Sequence, residues 1–137
     1  MVDKIEKIQR LAVRFAYVWV HLGSLVWVIV RNFTHRFLLG VCYRAPSAEH
    51  SFVDKLYDAI NFVTIRYPGI PLFLLGDFNF HNILWDNIIP QIRPNSAICS
   101  EFLNICLDFN LTQLIREPTR ETAGSSSILD LVLTSAP

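Results

Sequence analysis

Leu72-Phe73-Leu74-Leu75-Gly76-Asp77-Phe78-Asn79 decides how this chain reads: four apolar residues run into a glycine, and a carboxylate and a carboxamide follow two positions apart. A fully apolar run of this length, closed by Gly, marks a buried central strand. Alternation sends Asp77 and Asn79 to one side of the chain just past the strand's end, provided the extended geometry persists. Carboxylate oxygen is a hard ligand for Mg²⁺, and a side-chain amide can donate to a phosphoryl oxygen. The plainer alternative is a strand followed by an Asx-type turn, since Asp and Asn both favour such turns.

Elements on either side of this stretch follow from periodicity. Upstream, Ser51 to Ile65 places Phe52, Leu56, Ala59 or Ile60, and Val63 at helical spacing, with Ser51 as the expected N-cap and Tyr67-Pro68-Gly69 as the stop. Before it, residues 25–30 and 37–43 are two apolar runs joined by the polar stretch Asn32 to Arg36, which predicts a hairpin. Strand, helix, strand in this order favours a parallel pairing through a crossover. Residues 3–15 carry Ile5, Ile8, Ala12 and Phe15 on one helical stripe among basic residues, predicting an amphipathic helix. From Phe15 to Val30 the chain has no formal charge. It is short of the roughly 20 residues of a membrane span, and His21, Gly23 and Ser24 interrupt it, so two strands are the preferred reading over a membrane segment. Downstream, Phe80 to Pro94 reads as a long loop, and a loop of that length is functional or disordered. Asn95-Ser96 caps a helix from about Ala97 to Phe109, with Ile98, Phe102, Ile105 and Leu107 or Phe109 inward and Asn110 at its end. Leu111 to Ile115 and Ile128 to Leu133 are short strands, and Thr122 to Ser127 a small-residue loop between them.

Bulk properties narrow the classes. A chain of 137 residues fits one domain with a real core. The formal net charge is zero, so no basic field announces a nucleic-acid partner, and the arginines are scattered. Hydrophobic content is 52%, which suits a chain belonging to a larger domain whose remainder covers part of this surface. Three cysteines, Cys42, Cys99 and Cys106, have no Cys-x-x-Cys spacing. They fit a reducing, intracellular compartment and predict neither disulfide partners nor a zinc site.

Three segments occur in order: Gly40-Val41-Cys42-Tyr43-Arg44-Ala45-Pro46-Ser47, Leu74 to Asn79, and Ser127-Ile128-Leu129-Asp130-Leu131-Val132-Leu133-Thr134. With Trp85, Leu111 to Leu114 and Pro118 to Arg120 between them, the chain resembles the endonuclease/exonuclease/phosphatase superfamily. The likeness is to the apurinic-type endonuclease domain of non-LTR (LINE-like) retrotransposons. The resemblance implies an α/β fold, an incomplete sandwich of two mixed sheets flanked by helices, over residues 23–137, with residues 1–22 unmatched. It implies Mg²⁺ (or Mn²⁺) as cofactor, DNA as partner and a nuclear location for a functional protein. In the roles it implies, Asp77 orients the attacking water and is a metal ligand, Asn79 holds the phosphate, and Tyr43 contacts the phosphate group. Asp130 pairs with a catalytic histidine; a charge inside an apolar strand is costly without a partner, which independently points to function. Arg44, Trp85 and Ser127 are expected on the substrate side. For Phe80 and Trp85 anchoring their loop to the core is the preferred reading, and stacking on a nucleotide is the alternative role. His81 reads as a solvated loop residue, and His21, His35 and His50 take no role.

Departures from the family pattern bear on activity. The family's metal-binding glutamate lies well before the Tyr-Arg-x-Pro segment, where this chain has only Asp3 and Glu6 as acids. The family's Ser-Asp-His motif lies after the Asp130 strand. The expectation is therefore a domain truncated at both ends, a weakly active or inactive phosphodiesterase. The alternatives are a non-enzymatic remnant or interaction protein and, less favoured, a membrane-anchored small protein using residues 11–30.

Overall fold

The computed structural model describes residues 14–18, 25–31, 34–85 and 88–136. Six strands make the main sheet: β1 (Arg14–Val18), β2 (Leu25–Arg31), β3 (Arg36–Tyr43), β4 (Leu72–Asp77), β7 (Thr112–Gln113) and β10 (Asp130–Thr134), in the spatial order β1-β2-β3-β4-β10-β7. Helix α1 (Ser51–Arg66) connects β3 to β4, which pair in parallel, whereas every other pairing in this sheet is antiparallel. Helix α2 (Ala97–Asp108) lies between two short ribbons, β5 (Ile83–Leu84) with β6 (Gln91–Ile92) and β8 (Arg120–Thr122) with β9 (Ser125–Ser127). The mixed α/β class and the crossover read from the apolar periods are both present.

One face of the sheet is the core. Leu25, Trp27, Ile29, Leu38, Cys42, Leu72, Leu74, Leu131 and Leu133 form a single cluster with Leu56, Ile60 and Val63 of α1 and Phe102 and Ile105 of α2. Alternation puts Val26, Val41 and Tyr43 on the opposite face, each more than half exposed. Trp27 lies across the backbone of Gly40, where an added Cβ would come within 2.6 Å of the ring. Gly76 has φ +150, and an added Cβ there would fall 1.7 Å from the Cys42 carbonyl oxygen. The glycine that ends the apolar run is thus demanded by the close approach of β3 and β4.

Several expectations change. Arg14 and Phe15, assigned to a helix over 3–15, belong to strand β1 paired with Arg31 and Val30; residues 3–13 lie outside the described residues, as do Asn32 and Phe33 of the first hairpin turn and His21. The boundary between an unmatched segment and the domain at residues 22 and 23 also falls outside them. Ser51 is the first helical residue rather than the cap; His50 holds the cap position and makes no side-chain cap hydrogen bond. Leu107 points outward at 77% exposure, while Phe109 packs on the core, settling the alternative for the end of α2. The stretch from Thr122 to Ser127 is not a plain loop but most of a hairpin, because serine and threonine pair well enough through their backbones without an apolar face. The long loop from Phe80 to Pro94 folds back on itself through β5 and β6. Among the described residues, no helix is long and apolar enough to cross a membrane.

Candidate active site

The three central strands bring the singled-out residues to one rim. In register, Tyr43 of β3 faces Asp77 of β4, and Asp77 faces Asp130 of β10. Directly opposed residues on neighbouring strands share a face, and their Cα atoms stand about 4.5–5.5 Å apart. Tyr43, Asp77 and Asp130 therefore form one row across the sheet end. Tyr43 is 55% exposed, Asp130 is exposed, and Asp77 is half-buried, so the row opens to solvent.

Beyond Asp77 the chain turns. Phe78 leaves the strand with its N–H donating to the Leu129 carbonyl at 2.9 Å, so β4 and β10 stay tied at the rim. The Phe78 ring is fully buried against Phe102, centroids 5.3 Å apart. Asn79 then takes φ +51, a left-handed conformation that Asn tolerates, and its N–H donates to Asp77 Oδ1 at 3.1 Å. The extended geometry does not persist, and Asn79 does not prolong the Asp77 face. Its side chain is 5% exposed, with Nδ2 donating to the Arg44 carbonyl at 2.7 Å. Of the two sequence alternatives the Asx turn is present, and the residue sharing the Asp77 face is Asp130 rather than Asn79.

The residues expected on the substrate side are placed differently. Arg44 is buried at 6% exposure, and its guanidinium donates to the carbonyls of Phe78 (3.4 Å), Asn79 (3.3 Å) and Ala48 (3.5 Å). Its Cζ lies 4.5 Å from the centroid of Phe80 and 5.8 Å from that of Phe52. Burial pulls its pKa below the usual arginine value, with the Cys99 thiol acting weakly the other way. Trp85 is 6% exposed and Phe80 is 3% exposed, with Phe80 stacked on Phe102 at 4.4 Å between centroids. These aromatics fasten their loop to α2. Ser127 contributes its backbone carbonyl, which accepts from the Thr119 N–H at 3.0 Å. Thr119, not singled out in the sequence, has its Oγ1 accepting from the N–H groups of both Leu129 and Asp130 at 3.0 Å. The Pro118-Thr119-Arg120 segment carried that signal, since a hydroxyl just before a strand is suited to closing its first turn. His81 is exposed, and His50 lies 3.4 Å from Glu101 away from the rim row.

Chemically, the rim offers two carboxylates and a phenol, with the buried Asn79 carboxamide behind them. Two carboxylates with a substrate phosphate and waters are within the ligand sets that Mg²⁺ accepts. Among the described residues there is no group of three or more His, Cys, Asp or Glu that could hold a metal. Asp77 and Asp130 alone fall short of a dedicated metal cage.

Residues 37–137 match a family model described as endonuclease-reverse transcriptase. The fold is similar to that of the endonuclease domain of TRAS1, a telomere-specific non-LTR retrotransposon, with TM-score 0.67 and 16% identity over 89% of this chain and 54% of that one. It is similar also to a mannosyl-6-phosphatase of Bacteroides thetaiotaomicron, with TM-score 0.52 and 13% identity over 81% of this chain and 42% of that one. The human Nocturnin catalytic domain gives TM-score 0.50 and 16% identity over 90% of this chain and 45% of that one. The chain spans about half the length of these structures. No curated protein matches it.

Proposed function

Because the chain belongs to the endonuclease-reverse transcriptase family, we propose that the Tyr43–Asp77–Asp130 rim is the phosphodiester-facing part of a metal-assisted DNA-cleaving site. The observation that carries this reading is the register: residues far apart along the chain stand side by side on β3, β4 and β10. Phosphodiester hydrolysis needs charge drawn off the phosphate, a group that orients water, and donors for the developing negative charge. Asp77 and Asp130 would hold Mg²⁺ or Mn²⁺, which when bound supplies the first of these. Asp77 keeps one carboxylate oxygen in the turn and has the other available to accept a hydrogen bond from water. Tyr43 presents its hydroxyl to a phosphoryl oxygen. Asn79 still carries a second Nδ2 hydrogen beyond the one given to Arg44.

Turnover by these residues alone is slow in this reading. Two carboxylates grip Mg²⁺ weakly, and the rim row carries no histidine to act as general acid or base. Groups that act as a unit lose most of their rate together when one is missing. Incubating the chain with supercoiled plasmid and Mg²⁺ tests it. Slow nicking that depends on the metal and falls to background in Asp77→Ala is expected. Identical traces for the wild type and Asp77→Ala would sink the hydrolytic reading and leave a non-enzymatic member of the family, such as an interaction protein.

A further inference from the structure

We propose that Arg44 is a positioning residue: its buried guanidinium sets the conformation of the Phe78–Asn79 turn and thereby the direction of the Asp77 carboxylate. The inference rests on the rim being the phosphodiester-facing site, and deepens that reading by removing Arg44 from the substrate and giving it a different task.

Four hydrogen bonds join Arg44 to the turn in both directions. Its N–H donates to the Asp77 carbonyl at 2.8 Å, its Nη1 to the carbonyls of Phe78 at 3.4 Å and Asn79 at 3.3 Å, and Asn79 Nδ2 donates back to the Arg44 carbonyl at 2.7 Å. The arrangement is costly by the usual rules. A buried cation calls for a counter-charge, yet His50–Glu101 is the ion pair seen among the described residues, and Arg44 Nε is buried without a hydrogen-bond partner. Among the described residues, carbonyl dipoles and the faces of Phe80 and Phe52 compensate it. An apolar side chain of similar volume would fill the space between Phe52 and Phe80 with less desolvation. What it would lack is the planar guanidinium, whose Nη1 donates to two successive carbonyls while Nη2 donates to Ala48, so that two peptide planes are held. Those planes flank the Cα of Asn79, two residues beyond Asp77. The first of them, whose Phe78 carbonyl takes Nη1, also carries the N–H that Asn79 donates to Asp77 Oδ1, and with the second it sets Asn79 at φ +51. With one oxygen held, the carboxylate has a single remaining direction in which to present the other.

NMR on the isotope-labelled full chain tests this with the wild type, Arg44→Met and Arg44→Lys, each with its urea midpoint. In the wild type the clamped guanidinium gives separate, slowly rotating Nη signals. In Arg44→Met the coupling that reads φ at Asn79 leaves its left-handed value, and the Asn79 amide exchanges about tenfold faster or more, while core amides such as Leu74 stay within about twofold. Arg44→Lys falls between, since a rotatable ammonium keeps the charge without the fixed planar geometry. Broadening of the Asp77 amide by Mn²⁺ weakens in the same order. A freely rotating wild-type guanidinium, an unchanged Asn79 coupling in Arg44→Met, or a loss of protection shared by all amides would overturn the proposal. Should the wild type show no Mn²⁺ broadening, the metal-site reading falls, while the coupling and exchange data still judge Arg44.

Discussion

Gly76 is the residue on which the rim depends most directly. At φ +150 with the Cys42 carbonyl oxygen 1.7 Å from any Cβ, neither strain nor collision can be relieved without parting β3 from β4. Gly76→Ala should cost about 3 kcal/mol or more, read from the urea midpoint. Gly69→Ala meets nothing within 4 Å and should cost only the strain of its φ of +72. The buried thiols make a second prediction. Burial pushes Cys42 and Cys106 up to about 12 from 9.0. A folded pKa above the unfolded one adds stability that is complete below the unfolded value and is lost as pH rises through the folded one. Stability should therefore be level up to about pH 9 and decline from there towards about pH 12. Replacing both thiols with alanine should flatten that decline, and a native-state thiol titration at pH 8 should find both unreactive. At this scale the sequence spoke clearly where chemistry is local: Gly before Asp predicts a tight strand end. The lone acid in an apolar strand read as a charge in need of a partner, but Asp130 is exposed at the first position of β10 and carries no such cost. The sequence was silent on Asn79, whose side the two-residue alternation assigned wrongly because one left-handed residue turns the chain. It was silent on Arg44 too, since a guanidinium beside Tyr43 looks the same in sequence whether it meets phosphate or backbone carbonyls.

Among the elements, the end of α2 shows how a local signal decides a boundary. Phe109 is the C-cap, Asn110 follows at φ +52, and the N–H groups of Asn110 and Leu111 donate to the carbonyls of Leu107 (3.1 Å) and Cys106 (2.7 Å). This paired pattern closes a helix through a left-handed residue, a place held by Gly or Asn. Asn110→Ala should lower stability by about 1–2 kcal/mol, whereas Asn110→Gly should leave it nearly unchanged, both by thermal or urea unfolding. The opposite end behaves differently: Ser96 occupies the N-cap position without a side-chain hydrogen bond to the helix backbone. Elements with strong apolar periods, β2, β3, α1, β4 and α2, were legible to within a residue or two, because a buried face imposes its period on the sequence. The β8–β9 hairpin was not, since all but one of its strand residues are exposed and neither strand has a face to bury. That Trp85 anchors its loop was the preferred reading, but the ribbon that brings it to the core was not legible. Its loop carries no period, and its indole reaches the core only because β5 and β6 fold the loop back.

At the scale of the whole molecule, charge limits what the fold can do with a polyanion. Formal net charge is zero, and one arginine beside the rim, Arg44, is buried with its guanidinium committed to carbonyls. Cations available to DNA phosphates near the rim must come from elsewhere. The run from β7 back to Asp130 supplies two, Arg116 and Arg120, both exposed. Leu114 N–H donates to the Val132 carbonyl and Thr119 Oγ1 accepts from the Asp130 N–H, so this run travels along β10 towards its carboxylate end. Each phosphate neutralised releases condensed counterions, and the logarithm of affinity falls with the logarithm of salt by about 0.9 per contact. Duplex binding should accordingly be weak with a shallow slope of about −2, and Arg116→Gln and Arg120→Gln should each reduce it by about 1. Arg44→Met should leave the slope unchanged even where it disturbs the Asp77 turn, because a buried guanidinium releases no counterion. Fluorescence anisotropy with a short duplex between 20 and 150 mM salt (values chosen to be on the order of those at which phosphate contacts dominate) measures all three. A slope that drops on losing Arg44 would mean that its guanidinium reaches phosphate, which would return it to the substrate side and leave the turn to be held by Asn79 alone.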